Sequence, residues 1–88
     1  MSRSAKVIIT NPVGLYAAPA ETLVDFVKQF NSDISLTYAG RTVNLKSLMG
    51  VVSLGIPKKA EVVITAEGYD ENKAVREIQD EMHKLELI

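Results

Sequence analysis

The chain offers few side chains that could catalyse a reaction. It contains one histidine, His83, and no cysteine, so neither a common nucleophile–base pair nor a thiolate zinc site can be assembled. At about 100° per residue, His83 falls outside the apolar stripe of its predicted helix, which indicates a surface residue. Glu77 and Glu81 form a carboxylate pair on what we expect to be a solvated helix face. We therefore expect a protein that is not an enzyme and that needs no metal or cofactor.

Two predicted helix starts are better candidates for a binding site. The first is residues 14–20, Gly-Leu-Tyr-Ala-Ala-Pro-Ala, where a glycine loop leads into a helix with small first residues. Free N–H groups and the helix dipole at such a start can bind an anion. The alternative is purely structural: Ala17 and Ala18 are good helix formers, and Tyr16 covers the apolar layer. Both interpretations remain open at this point.

The second helix start is residues 46–55, Lys-Ser-Leu-Met-Gly-Val-Val-Ser-Leu-Gly. On a helix, Val51 and Leu54 share one side. The other side carries three apolar residues, Leu48, Met49 and Val52. Either both sides belong to the core, or the second side stays exposed as a surface that binds a partner.

Ser47 lies at the predicted N-terminus of this short helix. As an N-cap it would stabilise the helix by about 1 kcal/mol. As a phosphoacceptor it would place a dianion where the helix dipole favours negative charge. The local sequence does not decide between these two roles.

The periodicity of the chain predicts the elements that position these residues. Four segments are predicted to be strands: residues 7–10, 34–38, 42–45 and 62–65. A turn at Ala39-Gly40 joins the second strand to the third. A helix begins near Tyr16 and continues to residue 30, and a short one runs from Ser47 through Leu54. Asp70 can cap a last helix, whose apolar stripe comprises Ala74, Val75, Ile78, Met82 and Leu85.

The order βαββαβα predicts one α+β domain over residues 1–88. Because the strands alternate polar and apolar residues, one sheet face is wet and helices cover the other, in a two-layer open-faced sandwich with a four-stranded antiparallel sheet. Ten basic and 11 acidic residues argue against direct nucleic-acid binding. No apolar run is long enough for a signal peptide or for membrane insertion. Together with the lack of cysteine, this predicts a cytoplasmic protein.

These segments resemble HPr, the histidine-containing phosphocarrier of the bacterial phosphoenolpyruvate–sugar phosphotransferase system. The resemblance covers about residues 6–85. Its most specific part is residues 43–50, Val-Asn-Leu-Lys-Ser-Leu-Met-Gly, followed by Ser-Leu-Gly at 53–55. Similar residues also stand at 32–34, at Gly40 and at 68–71. The resemblance implies the HPr fold.

The phosphorylation motif of that family reads Gly-Leu-His-Ala-Arg-Pro-Ala, and here two of its residues differ. Tyr16 replaces the histidine that carries the phosphoryl group, and Ala18 replaces the arginine that helps to hold it. An imidazole nitrogen is a lone-pair nucleophile near pH 7, whereas a phenol loses its proton only near pH 10. The resemblance therefore implies a protein that does not relay phosphate.

Without phosphate relay, the resemblance implies a regulatory role like that of the HPr homologues that lack the histidine and act in catabolite repression. HPr kinase/phosphorylase would phosphorylate Ser47, with Lys46 near the phosphate. The resemblance also implies an apolar surface that docks the kinase and a LacI-type regulator, comprising Leu48, Met49 and Val52. That sister group usually keeps the arginine that Ala18 replaces. The alternatives are a phosphocarrier that uses Tyr16, and an interaction module without phosphorylation.

Overall fold

The computed structural model describes residues 1–88. Four strands and three helices follow the predicted order βαββαβα. The strands are β1 (Ser2–Ile8), β2 (Asp33–Tyr38), β3 (Arg41–Asn44) and β4 (Glu61–Glu67), and the helices are α1 (Ala17–Val27), α2 (Leu48–Ser53) and α3 (Glu71–Lys84). No helix is both long enough and apolar enough to cross a membrane.

The four strands form one antiparallel sheet in the order β1-β4-β2-β3. The long strand β4 lies in the interior and pairs Ile64 with Leu36 of β2 on one side and with Ala5 of β1 on the other. β1 and β3 are the two edges. The turn between β2 and β3 has positive φ at Ala39 (51°) and Gly40 (81°), as a type I′ hairpin requires.

The sheet is apolar on one face only, as its alternation predicts. Val62, Ile64 and Ala66 of β4 are fully buried beneath the helices, whereas the residues between them face outward. On the outward face, hydroxyl groups bond across strands, Ser4 to Thr65 at 3.0 Å and Thr37 to Thr42 at 2.8 Å. The predicted α+β open-faced sandwich is confirmed.

The bounds of β1 and α1 differ most from the prediction. β1 spans Ser2–Ile8 instead of residues 7–10, because the polar residues before Val7 pair with β4 as an edge strand, where polar side chains face water at little cost. α1 ends at Val27 and not at residue 30. Its last turn tightens, with the N–H of Phe30 donating to the Val27 carbonyl at 3.2 Å, as helix ends often do.

Asp70 holds α3 to the start of β2, and the prediction that its side chain caps α3 is wrong. It stands at the N-cap position but makes no side-chain bond to the helix. Its carboxylate accepts hydrogen bonds from the N–H groups of Asn31 at 2.9 Å and Ser32 at 3.0 Å, and from the Ser32 hydroxyl. Glu71 accepts from the Gly68 N–H instead. Donors that are distant in the sequence thus bind the Asp70 carboxylate, which was expected to bond within α3.

Replacing Asp70 with asparagine is expected to flatten the acid limb of the stability profile. The Ser32 hydroxyl, followed by the Asn31 N–H, lowers the pKa of the Asp70 carboxyl below its ordinary value of 3.8. A carboxyl whose pKa is lower in the folded state contributes stability that is present above the unfolded-state value and lost as the pH falls through the folded value. Asp70→Asn should therefore be less stable at pH 7 and lose less stability below that ordinary value.

Urea unfolding at a series of pH values measures this effect. Asp80→Asn is the control, because Asp80 is exposed on α3 and its carboxylate accepts no hydrogen bond from the protein. If Asp70→Asn keeps the wild-type loss of stability below pH 4, the hydrogen bonds to Asp70 are not its cause.

Candidate functional site

The loop before α1 is pressed against the residues that follow α2. Gly14 has φ +83°, and a Cβ there would lie 2.3 Å from the Ile56 carbonyl oxygen. The N–H of Leu15 donates to that same oxygen at 2.9 Å. Asn11 shapes the turn, since its side-chain oxygen accepts from the Val13 N–H at 2.9 Å. This close approach was not predicted, although a glycine two residues after Asn11-Pro12 was a signal for it.

Tyr16 lies at the N-cap of α1 with an exposed side chain. Its backbone is extended (φ −99°, ψ 177°), and its side chain makes no capping hydrogen bond. The side chain is 44% exposed, whereas Leu15 is buried. Leu15, and not Tyr16, therefore covers the apolar layer, and the structural explanation offered for Tyr16 is wrong. Ala17 and Ala18 are exposed beside it.

Ser47 caps α2 as predicted. Its Oγ accepts from the Gly50 N–H at 3.2 Å, and its carbonyl accepts from the Val51 N–H at 3.1 Å. A Cβ on Gly50 would lie 3.3 Å from both the Ser47 Oγ and the Val43 Cβ, so glycine keeps space beside the hydroxyl. Gly55, at φ +59°, follows the helix as a left-handed C-terminal residue.

The two sides of α2 have different environments. Val51 is 1% exposed and Leu54 is buried, whereas Met49 is 79% exposed and Val52 is 40% exposed. Leu48 is partly buried against the core. The possibility that both sides are core is therefore wrong. We call the exposed pair, Met49 and Val52, the α2 patch.

The partly buried side chain of Lys46 contacts the chain just after α1. Its Nζ donates to the Phe30 carbonyl oxygen at 2.7 Å, and its backbone N–H donates to the Asn44 Oδ1 at 2.8 Å. This bond uses one of the three N–H donors of the ammonium group. No local pattern could have predicted this bond, because 16 residues separate its partners.

The two helix starts are on neighbouring elements. α1 and α2 are in contact, and the bond from Leu15 to Ile56 joins the loop before α1 to the residue after Gly55. The loop that leads into α1 and the residues that follow α2 are therefore in direct contact.

The family comparison agrees with this arrangement. The family model described as the PTS HPr component phosphorylation site matches residues 3–84. The chain belongs to the HPr family. The resemblance seen in the sequence and the HPr fold it implied are both confirmed.

Solved HPr structures superpose over nearly the whole chain. The histidine-containing phosphocarrier protein of Mycoplasma is 35% identical, with 98% of each chain covered and a TM-score of 0.95. The phosphocarrier HPr of Bacillus anthracis is 34% identical, with 91% of this chain and 95% of that chain covered and a TM-score of 0.85. Crh, the catabolite repression protein of Bacillus subtilis, is 34% identical, with 96% and 95% covered and a TM-score of 0.74.

Within this HPr domain, the one histidine is not at a helix start. His83 lies exposed in the last turn of α3, as its position off the apolar stripe predicted.

Proposed function

We propose that this HPr-family protein is a regulatory phosphoacceptor that does not carry phosphate and catalyses no reaction itself. HPr kinase/phosphorylase would phosphorylate Ser47, and the phosphoprotein would act in carbon catabolite repression by binding partner proteins. One observation carries the proposal: the Ser47 hydroxyl caps the same short helix that exposes Met49 and Val52. One partner protein could then contact the phosphate and the apolar docking surface at the same time.

The start of α2 is electrostatically suited to a phosphate. The first N–H groups of a helix lack intrahelical acceptors, and the dipole adds partial positive charge there. The Ser47 Oγ accepts the Gly50 N–H at 3.2 Å, and a phosphate oxygen could take over as acceptor. Phosphorylation would thus add charge without removing the cap.

Two residues limit which groups would hold that phosphate. Lys46 already donates one ammonium N–H to the Phe30 carbonyl at 2.7 Å, so at most two of its three donors are left for the phosphate. Ala18 offers no cation where the family has an arginine. A LacI-type regulator would therefore depend more on the α2 patch than it does with the family's arginine-containing members.

The test is incubation with HPr kinase/phosphorylase and ATP, followed by intact-mass measurement. We expect one phosphoryl group on the wild type and none on Ser47→Ala, because no other hydroxyl stands at that cap. Ser53→Ala is the matched control: Ser53 is exposed on the same helix, and it should be labelled like the wild type. Loss of the cap costs about 1 kcal/mol, so circular dichroism must show that Ser47→Ala is folded. Wild-type labelling of Ser47→Ala would reject the assignment.

A pure interaction module is the second candidate, because the α2 patch is exposed whether or not Ser47 is modified. In that case a partner would bind wild type and Ser47→Ala equally, but would not bind Met49→Asp. The third candidate, a carrier that uses Tyr16, would give an acid-stable label with enzyme I, phosphoenolpyruvate and magnesium, and we expect no such label.

A further inference from the structure

A polar groove of about 420 Å³ lies between β1 and α3. Arg3, Ala5 and Val7 of β1 lie on the helix-facing side of the sheet, in register with the buried Ala66, Ile64 and Val62 of β4. Because the Ala5 side chain is short, it leaves space beside α3. Ala5 and Val75 are the apolar residues of the groove. Its polar lining includes Arg3, Asn72, Arg76, Gln79, Asp80 and His83.

The two guanidinium groups of the groove are free to bind a ligand. Arg3 forms no ion pair, and the only one of Arg76 is at the limit of contact, with Nη2 3.9 Å from Glu77 Oε2. Gln79 uses its Nε2 to donate to the Val75 carbonyl at 3.2 Å, which leaves its Oε1 as an acceptor. With Asp80 as the one carboxylate in the lining, the groove carries a positive balance.

We propose that this groove binds a small phosphorylated molecule that also carries hydroxyl groups. Guanidinium groups match the geometry of a phosphoryl group and can donate two bonds to it, so Arg3 and Arg76 would hold the phosphate. The oxygens of Asp80 and Gln79 would accept hydrogen bonds from the hydroxyl groups. The Asn72 amide can donate to the phosphate or accept from a hydroxyl group. The groove volume lies within the usual range for small-molecule sites, about 300 to 1,000 Å³.

Protection of the edge strand β1 from pairing with another chain explains only part of these observations. Positive residues on an edge strand discourage pairing with another chain, and this accounts for Arg3. It does not account for the arginine and the two amides on the facing side of α3. The groove is also independent of Ser47, because α2 contacts β3 at the opposite edge of the sheet.

The experiment is an NMR titration of the labelled full chain with three probes: glycerol 3-phosphate, inorganic phosphate and glycerol, at matched ionic strength. We expect saturable shifts for the side-chain amides of Asn72 and Gln79 and for the Arg3 Nε–H. Glycerol 3-phosphate should bind more tightly than inorganic phosphate, and glycerol alone should give no shift.

Single substitutions test which groups hold the phosphate. Arg3→Gln and Arg76→Gln should each weaken glycerol 3-phosphate binding by about tenfold or more, as expected for a lost charge-assisted bond. Lys73→Gln is the matched control, because Lys73 is an exposed cation of α3 outside the groove lining. The spectra of each variant report whether its fold is retained.

Three outcomes would overturn the proposal. The first is an absence of saturable shifts with both phosphate probes. The second is equal weakening by Lys73→Gln, which would mean general attraction to a positive surface. The third is equal affinity for inorganic phosphate and glycerol 3-phosphate, which would remove the role given to Asp80 and the amides.

Discussion

Gly14→Ala is expected to destabilise the protein by about 3 kcal/mol or more, in the range of severe single substitutions. The added Cβ would lie 2.3 Å from the Ile56 carbonyl oxygen and 2.9 Å from the Pro57 Cα. Both are backbone atoms, so the clash is relieved only if the loop leaves residues 56–57. That movement would also displace Tyr16 and the start of α1. Urea unfolding followed by circular dichroism measures the loss.

Gly40→Ala is the matched control for this substitution. Gly40 has φ +81°, almost the same as Gly14, but a Cβ there would meet nothing within 4 Å. It should therefore carry only the left-handed backbone cost, about 1 to 2 kcal/mol. If the two variants lose the same stability, the contact with Ile56 is not what makes Gly14 necessary.

Val51→Asp is expected to leave little folded protein. Val51 is 1% exposed, and an unpaired buried carboxylate costs about 3 to 5 kcal/mol. A small domain has only about 5 to 15 kcal/mol of total stability. Circular dichroism and urea unfolding should show a large loss of structure at neutral pH.

The neighbouring Val52→Asp separates folding from partner binding. Val52 is 40% exposed in the α2 patch, so the same change should cost less than about 1 kcal/mol. Under the proposed function, this folded variant should fail to bind the kinase or the regulator. If Val52→Asp unfolds like Val51→Asp, then Val52 belongs to the core and the α2 patch does not exist as described.

The features that the sequence predicted correctly depend on neighbours along the chain. Strand alternation and helical periodicity identify the order βαββαβα. The Ser47 cap was predictable because its hydroxyl accepts a bond from an N–H only three residues away. The turn at Ala39 and Gly40 is equally local. The apolar residues on both sides of α2 predicted either an exposed patch or a helix buried on both sides, and the sequence did not decide between the two.

Where a side chain has a possible hydrogen-bond partner far away in the sequence, only the tertiary structure decided which partner it binds. Asp70 was expected to cap α3, but donors 38 and 39 residues away take its carboxylate. Lys46 gives a second example, because its ammonium donates to the carbonyl of Phe30, 16 residues away in the sequence.

The sequence by itself determined the type of fold and the family. The tertiary structure decided which side of α2 is exposed, why residue 14 must be glycine, and that Arg3 and Arg76 line one groove. The physical reason is that periodicity and capping depend on local spacing, whereas burial and close approach depend on which surfaces the folded chain brings together.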